Sequence, residues 1–118
     1  MKVLLVDEDK DFTTMISKFL NANGYEIVVT NDPMEGLMRI KKVRYDVILL
    51  DINMPVISGL NIIQILAAGG KLKNKNIFIF SGADYNENQI KDLLRRDGVN
   101  GFLKKPIELD ELLTTITR

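Results

Sequence analysis

Four short apolar runs with no polar interruption constrain this chain more than any other feature. They are Val3-Leu4-Leu5-Val6, Ile27-Val28-Val29, Val47-Ile48-Leu49-Leu50 and Ile77-Phe78-Ile79-Phe80. A strand with one face in water alternates apolar and polar side chains. A strand that is apolar at every position has to be covered on both faces, which is the situation inside a parallel sheet. Gly101-Phe102-Leu103 reads as a fifth, weaker strand.

Between these runs the apolar period changes to that of a helix. Phe12, Met15, Ile16, Phe19 and Leu20 form one stripe, and Gly24 ends it. Asp32-Pro33-Met34-Glu35 reads as a capping box with proline at the first helical position, opening a helix that carries Leu37 and Ile40. Ser58 is placed to cap a third helix with Ile62, Ile63 and Leu66 inward and Gly69-Gly70 as its stop. Asn86 with Gln89 opens a fourth, carrying Ile90, Leu93 and Leu94 up to Gly98, and Leu109, Leu112, Leu113 and Ile116 mark a fifth. Five strand–helix units with no linker or repeat predict one α/β domain, a doubly wound five-stranded parallel sheet in the order 2-1-3-4-5 with helices on both faces.

Composition narrows the chemistry. The 118 residues include no cysteine and no histidine, and 16 basic residues balance 16 acidic ones. Thiolate catalysis, cysteine zinc sites and the commonest general base are therefore excluded. Charge balance argues against direct nucleic-acid binding by bulk electrostatics. The apolar runs fall far short of the ~20 residues that span a bilayer, and Met1-Lys2 leads into too short a run for a secretory signal, so a cytoplasmic location is expected. The chemistry left to this chain runs on carboxylates, lysine, hydroxyls and any hard, oxygen-binding metal ion they hold.

In open α/β sheets, sites form outside the carboxyl ends of the strands where strand order reverses. The first strand runs into Asp7-Glu8-Asp9, the third into Asp51-Ile52-Asn53-Met54-Pro55, the fourth into Ser81-Gly82-Ala83 and the fifth into Lys104-Lys105-Pro106. Thr30-Asn31, after the second, reads as ordinary turn chemistry. Asp7, Glu8 and Asp51 would converge within a few ångströms, and like charges that close need compensation. A divalent cation with oxygen ligands supplies it, and Mg²⁺ fits best because it takes few carboxylates and keeps waters. Asp9 is placed to cap the first helix. Lys104 and the loop lysines Lys71, Lys73 and Lys75 read as solvated.

The spaced motifs resemble the receiver domains of two-component response regulators along the whole chain: the acidic pair Asp7-Glu8, Asp51 followed four residues later by Pro55, then Gly59, Ser81 and Lys105-Pro106. The resemblance implies a flavodoxin-like fold and a single receiver domain over residues 1–118. It implies that Asp51 accepts a phosphoryl group from a sensor histidine kinase, a phosphotransfer protein or a small phosphodonor, so the chain is a self-phosphorylating acceptor and not an enzyme in the usual sense. Asp7 and Glu8 would hold Mg²⁺, with Asp51 and the backbone carbonyl of Asn53 as further ligands. Ser81 would hydrogen-bond one phosphoryl oxygen and Lys105 pair with another, the lysine being aimed by a cis peptide at Pro106. Phe102 would be the aromatic switch. The surface of the fourth helix, fifth strand and fifth helix would face a downstream output protein or domain, or a second copy in a homodimer. The chain departs from the commonest pattern in its Asp-Glu order, in Gly82 where alanine is usual, and in Phe102, which lacks a tyrosine hydroxyl.

Other readings compete. A metal-dependent phosphatase with an aspartate nucleophile would carry a second acid two residues later, where this chain has Asn53. A pseudo-receiver serving only as a protein-interaction module would dispense with Asp51, Lys105 or the acidic pair. A nucleotide- or flavin-binding protein would need a glycine-rich phosphate loop after the first strand, where acids stand instead.

Overall fold

The computed structural model describes residues 1–82 and 85–117; Ala83, at the end of the fourth strand's polar run, lies outside them. The elements follow one another as β1 (Lys2–Val6), α1 (Lys10–Ala22), β2 (Glu26–Thr30), α2 (Pro33–Lys42), β3 (Val47–Asp51), α3 (Gly59–Ala68), β4 (Ile77–Ser81), α4 (Glu87–Leu94), β5 (Val99–Lys104) and α5 (Leu109–Ile116). The sheet is parallel throughout, in the expected order β2-β1-β3-β4-β5. No helix is long and apolar enough to cross a membrane among the described residues.

Strand periodicity divides the core. Leu4, Val6, Ile48, Leu50, Ile77 and Ile79 point to one side, where they meet Leu37 and Ile40 of α2, Ile62, Ile63 and Leu66 of α3, and Ile90 and Leu93 of α4. Val3, Leu5, Val47, Leu49, Phe78 and Phe80 point to the other, against Ile16 and Leu20 of α1 and Leu112 and Ile116 of α5. Successive side chains of a strand leave opposite faces, so a fully apolar strand feeds two cores at once. The edge strands β2 and β5 are only partly buried, which is why β5 was the faintest in the sequence.

Helix starts follow hydrogen-bond chemistry. Asp9, Asp32, Ser58 and Asn86 each accept a backbone N–H of the first turn of their helix. The capping box expected at α2 is only half made: the Glu35 carboxylate pairs with Arg39 at 2.9 Å, and the Asp32 N–H goes to the Thr30 hydroxyl. A complete capping box occurs at α3, between Ser58 and Asn61. Lys75 is not a solvated lysine, for its ammonium donates to the Ile40 carbonyl at 2.9 Å in the last turn of α2. Helix ends carry unpaired carbonyls and negative dipole, and a lysine answers both.

Between β3 and α3 the chain makes a tight return. A Cβ at Gly59 would overlap the Asp51 carbonyl oxygen and come within 2.7 Å of Ile52 Cα, so only glycine lets α3 start against the end of β3. In the same loop Val56 stands at φ +68° with its side chain fully exposed. A β-branched residue in the left-handed region is strained, and here no burial offsets the strain. Val56→Gly is expected to relieve about 1 kcal/mol and raise the thermal midpoint by a few degrees. An unchanged or lower midpoint in a calorimetric scan would contradict that account.

Candidate functional site

Asp7 follows the last residue of β1, and its N–H still donates to the Thr30 carbonyl of β2, at 3.2 Å. The side chain is only 1% exposed and both oxygens are engaged. Oδ1 accepts the Asp9 N–H at 2.9 Å, and Oδ2 accepts from Lys105 Nζ at 2.7 Å. Asp51 ends β3 and is 4% exposed. Its Oδ1 accepts the Asn53 N–H at 3.0 Å, while Oδ2 lies 3.7 Å from the same Lys105 ammonium. Lys105, whose side chain is 22% exposed, therefore stands between two buried carboxylates.

Glu8 does not join them. It is exposed, and no group of three or more acidic side chains close enough to share a metal ion occurs among the described residues. The sequence expectation of three converging carboxylates is thus corrected to two carboxylates and one ammonium. Both residues follow the end of β1, but only Asp7 is buried among the strand ends, whereas Glu8 stands in solvent.

The two carboxylates differ electrostatically. Burial pushes the Asp51 carboxyl up from 3.8 to about 6; the Asn53 N–H draws it down, the charge of Asp7 pushes it up, and Lys105 draws it down. One ammonium does not fully compensate two buried acids. The donor set is hard and all-oxygen, two carboxylates plus the Asn53 backbone carbonyl nearby. Together with a cation already drawn to the gap, that chemistry fits a small divalent ion such as Mg²⁺.

Ser81, the last residue of β4, is wholly buried. Its Oγ accepts from Asn53 Nδ2, and its carbonyl accepts the Lys105 N–H at 2.7 Å. Asn53 therefore holds the Asp51 carboxylate with its backbone and the Ser81 hydroxyl with its side chain. The Lys105–Pro106 peptide is cis. A Cβ on Gly82 would meet nothing within 4 Å, so the absence of alanine there leaves the local packing unaltered. Phe102 is partly buried, its ring 5.0 Å from that of Tyr85.

Several participants escaped the sequence reading. Asn31, taken for turn chemistry, donates to the Asp7 carbonyl at 2.8 Å and to the Thr13 hydroxyl at 3.0 Å, so the end of β2 buttresses the acidic site. Lys104 is exposed, but its ammonium lies 5.9 Å from the centre of the Tyr85 ring. Phe12 and Phe80, read as core, lie under Lys105 with ring centres 4.2 and 5.3 Å from Nζ. The aromatic identity of residues 12 and 80 was the only available signal for the last contact.

Comparison with known proteins gives a consistent picture. The family profile described as response regulator receiver domain matches residues 3–117. The CAI-1 autoinducer sensor kinase/phosphatase CqsS of Vibrio cholerae is 30% identical over 115 residues, covering 98% of this chain and 17% of that protein. The cell cycle transcriptional regulator CtrA of Caulobacter vibrioides is 31% identical over 116 residues, covering 98% and 48%. The chain thus spans half or less of the curated relatives it matches. The receiver domain of the Francisella response regulator 1452 superposes with a TM-score of 0.83 at 33% identity, covering 98% of this chain and 93% of that one.

The raised Asp51 carboxyl sets a direction for stability against pH. Between the unfolded value near 3.8 and the folded value of about 6, the folded state holds the extra proton. Stability from this group is therefore greatest below the window and falls as pH rises through it. Asp51→Asn is expected to be more stable than wild type at pH 7 without divalent cations, by about 1–3 kcal/mol, the gap closing toward pH 4. Urea unfolding of both proteins across pH 4 to 7 checks this; a gap that is absent, or that widens toward low pH, would reject it.

Proposed function

This chain belongs to the response regulator receiver domain family, and from that membership we propose that Asp51 is its phosphoacceptor. The domain would extend over residues 1–118. Receiver domains are phosphoacceptors in two-component signalling and generally bind Mg²⁺ at the phosphorylation site. The observation that carries the assignment to Asp51 is a carboxylate buried at the end of the central strand, facing one lysine across 3.7 Å with a second buried carboxylate beside it.

At neutral pH, above its raised value of about 6, Asp51 is ionised and able to act as a nucleophile. Oδ1 is turned toward the Asn53 N–H and Oδ2 toward Lys105, which makes Oδ2 the attacking atom. It forms a bond to phosphorus as the donor's bond to phosphorus breaks, and the electron pair of that bond departs with the donor, a phosphohistidine nitrogen or an acyl oxygen. Phosphoryl transfer asks the protein mainly for position and charge. Lys105 gives positive charge to one phosphoryl oxygen. Ser81 Oγ already accepts a hydrogen bond from Asn53 Nδ2, which leaves its own O–H to donate to another phosphoryl oxygen. Mg²⁺, held by Asp7, Asp51 and the Asn53 carbonyl with exposed Glu8 nearby, would neutralise the transferring group. The chain catalyses its own modification and turns over no separate substrate.

Ser81 is the last residue of β4 and Lys105 directly follows β5, so closing both on a phosphoryl group would pull β4 and β5, and with β5 Phe102, whose ring packs against that of Tyr85. A large ring packed against a second ring has discrete places to sit, as a two-state element needs. The surface of α4, β5 and α5 would then report the state of Asp51 to an output protein or domain, or to a second copy. The upstream partner would be a sensor histidine kinase or phosphotransfer protein, and the setting cytoplasmic.

With acetyl phosphate and Mg²⁺, intact mass is expected to show one added phosphoryl group on wild type and none on Asp51→Asn. An unmodified wild type, or a modified variant, would overturn the assignment. Phe102→Ala is expected to keep the modification while the amide shifts it causes in α4 and β5 shrink. Full-sized shifts in that variant would remove Phe102 from the switch.

A further inference from the structure

Phe12 lies outside the machinery described so far, yet Lys105 Nζ stands 4.2 Å from the centre of its ring and 5.3 Å from that of Phe80. Both distances fall within the ~6 Å over which an aromatic face attracts a cation. The rings pack against each other with centres 5.5 Å apart at 45°. Phe80 is wholly buried and immediately precedes Ser81; Phe12 is partly exposed and sits in the first turn of α1. We propose that Phe12, backed by Phe80, is a positioning residue: its face holds the Lys105 ammonium aimed at Asp51 when the carboxylate of Asp7 is otherwise engaged.

The need for such a device follows from the ion pairs. The 2.7 Å partner of Lys105 is Asp7, and Asp7 is also one of the two buried carboxylates that would hold a divalent cation. Once that oxygen is claimed, the ammonium keeps only Asp51 at 3.7 Å, too long for a hydrogen bond to fix its direction. Lysine has a flexible four-carbon stem, so an ammonium without a short partner wanders. An aromatic face restrains it without competing for the cation, because a ring is a poor ligand for a hard divalent ion.

The local hydrogen bonds place the ring where this works. Asp7 Oδ1 holds the Asp9 N–H at 2.9 Å, and Asp9 Oδ1 holds the Phe12 N–H at 3.1 Å. Asp7 and Phe12 are thereby fixed to each other through one capping turn, and Lys105 closes the circuit by touching both. A phenylalanine serving only to fill the core would need no cation over its face. Here Phe12 packs at the edge of the core with its ring under the charge.

This inference rests on Asp51 being the acceptor, and its test separates the two. In the metal-free protein, ring currents should move the Lys105 ε-methylene protons upfield in NMR spectra. Phe12→Leu, which keeps apolar bulk, should return most of that shift, and Phe12→Tyr should retain it. At saturating Mg²⁺ the rate of acetyl phosphate modification should fall roughly threefold to tenfold in Phe12→Leu and recover in Phe12→Tyr. Phe12→Met serves as a second flat-face deletion should the leucine variant fold poorly. Unshifted Lys105 protons in wild type would overturn the ring contact itself. A wild-type rate in a folded variant that has lost the shift would overturn the positioning role. A wild type with the shift but no phosphoryl uptake would overturn the acceptor assignment, and the positioning role with it.

Discussion

A single ammonium shared by two buried carboxylates is the constraint on which the site depends. Lys105 bonds Asp7 across 98 positions of sequence and faces Asp51 from a third strand, so it ties the ends of β1, β3 and β5 together. Burying charges costs several kcal/mol each unless partners and hydrogen bonds compensate, and this arrangement compensates in part only. Asp7 is satisfied twice over, by Lys105 and the Asp9 N–H. Asp51 has one N–H and a distant cation, and its carboxyl rises to about 6 as a result. The asymmetry leaves Asp51 as the carboxylate with the weaker compensation, which is what the proposed acceptor role asks of it.

The cost of that site is met by the core around it, and the core was largely legible in the sequence. A run such as Val47-Ile48-Leu49-Leu50 can be satisfied only by two covered faces, and β3 at the centre of the sheet is buried at every position. The caps at Asp9, Ser58 and Asn86 were legible because a short oxygen-bearing side chain before an apolar stripe has one good use. Edge strand β5 was faint because, at the edge of the sheet, only Val99 and Leu103 among its six residues are fully buried. Glu35 was misread because the capping pattern does not see Arg39 one turn away, and Lys75 because its partner, the Ile40 carbonyl, is 35 residues distant.

In the site, the strand-end rule brought Asp7, Asp51, Ser81 and Lys105 to one edge correctly, since each is the first polar residue after a strand or its last. It did not bring Glu8 to them: next to Asp7 in the sequence, Glu8 is exposed and joins no acidic group among the described residues. It failed for Asn31 in the opposite sense. A turn-forming asparagine and one that braces a buried aspartate look alike in sequence, and only the parallel register Val6 to Thr30 puts that side chain beside the Asp7 carbonyl. Lys105 over Phe12 lies furthest from sequence, because a residue with helical spacing and an apolar ring satisfies the core reading completely.

Asn53 is the residue at which the proposed acceptor role of Asp51 parts from that of a phosphatase with an aspartate nucleophile. A second acid at that position would protonate a leaving group and would also add charge beside two carboxylates that already share one lysine. An amide adds none. Its N–H steadies Asp51 Oδ1, and its side chain occupies a lone pair of Ser81 Oγ, so one neutral residue touches both the proposed acceptor and the buried hydroxyl. Ser81 passes that contact onward through its carbonyl to the N–H of Lys105, three positions after Phe102. Acceptor, hydroxyl and lysine are thus joined by three hydrogen bonds through the backbone and side chain of Asn53 and the carbonyl of Ser81. Because the links are direct, a change in charge at Asp51 under the proposed phosphorylation would reach the end of β5 by redirecting bonds that already exist, without passing through the packed core.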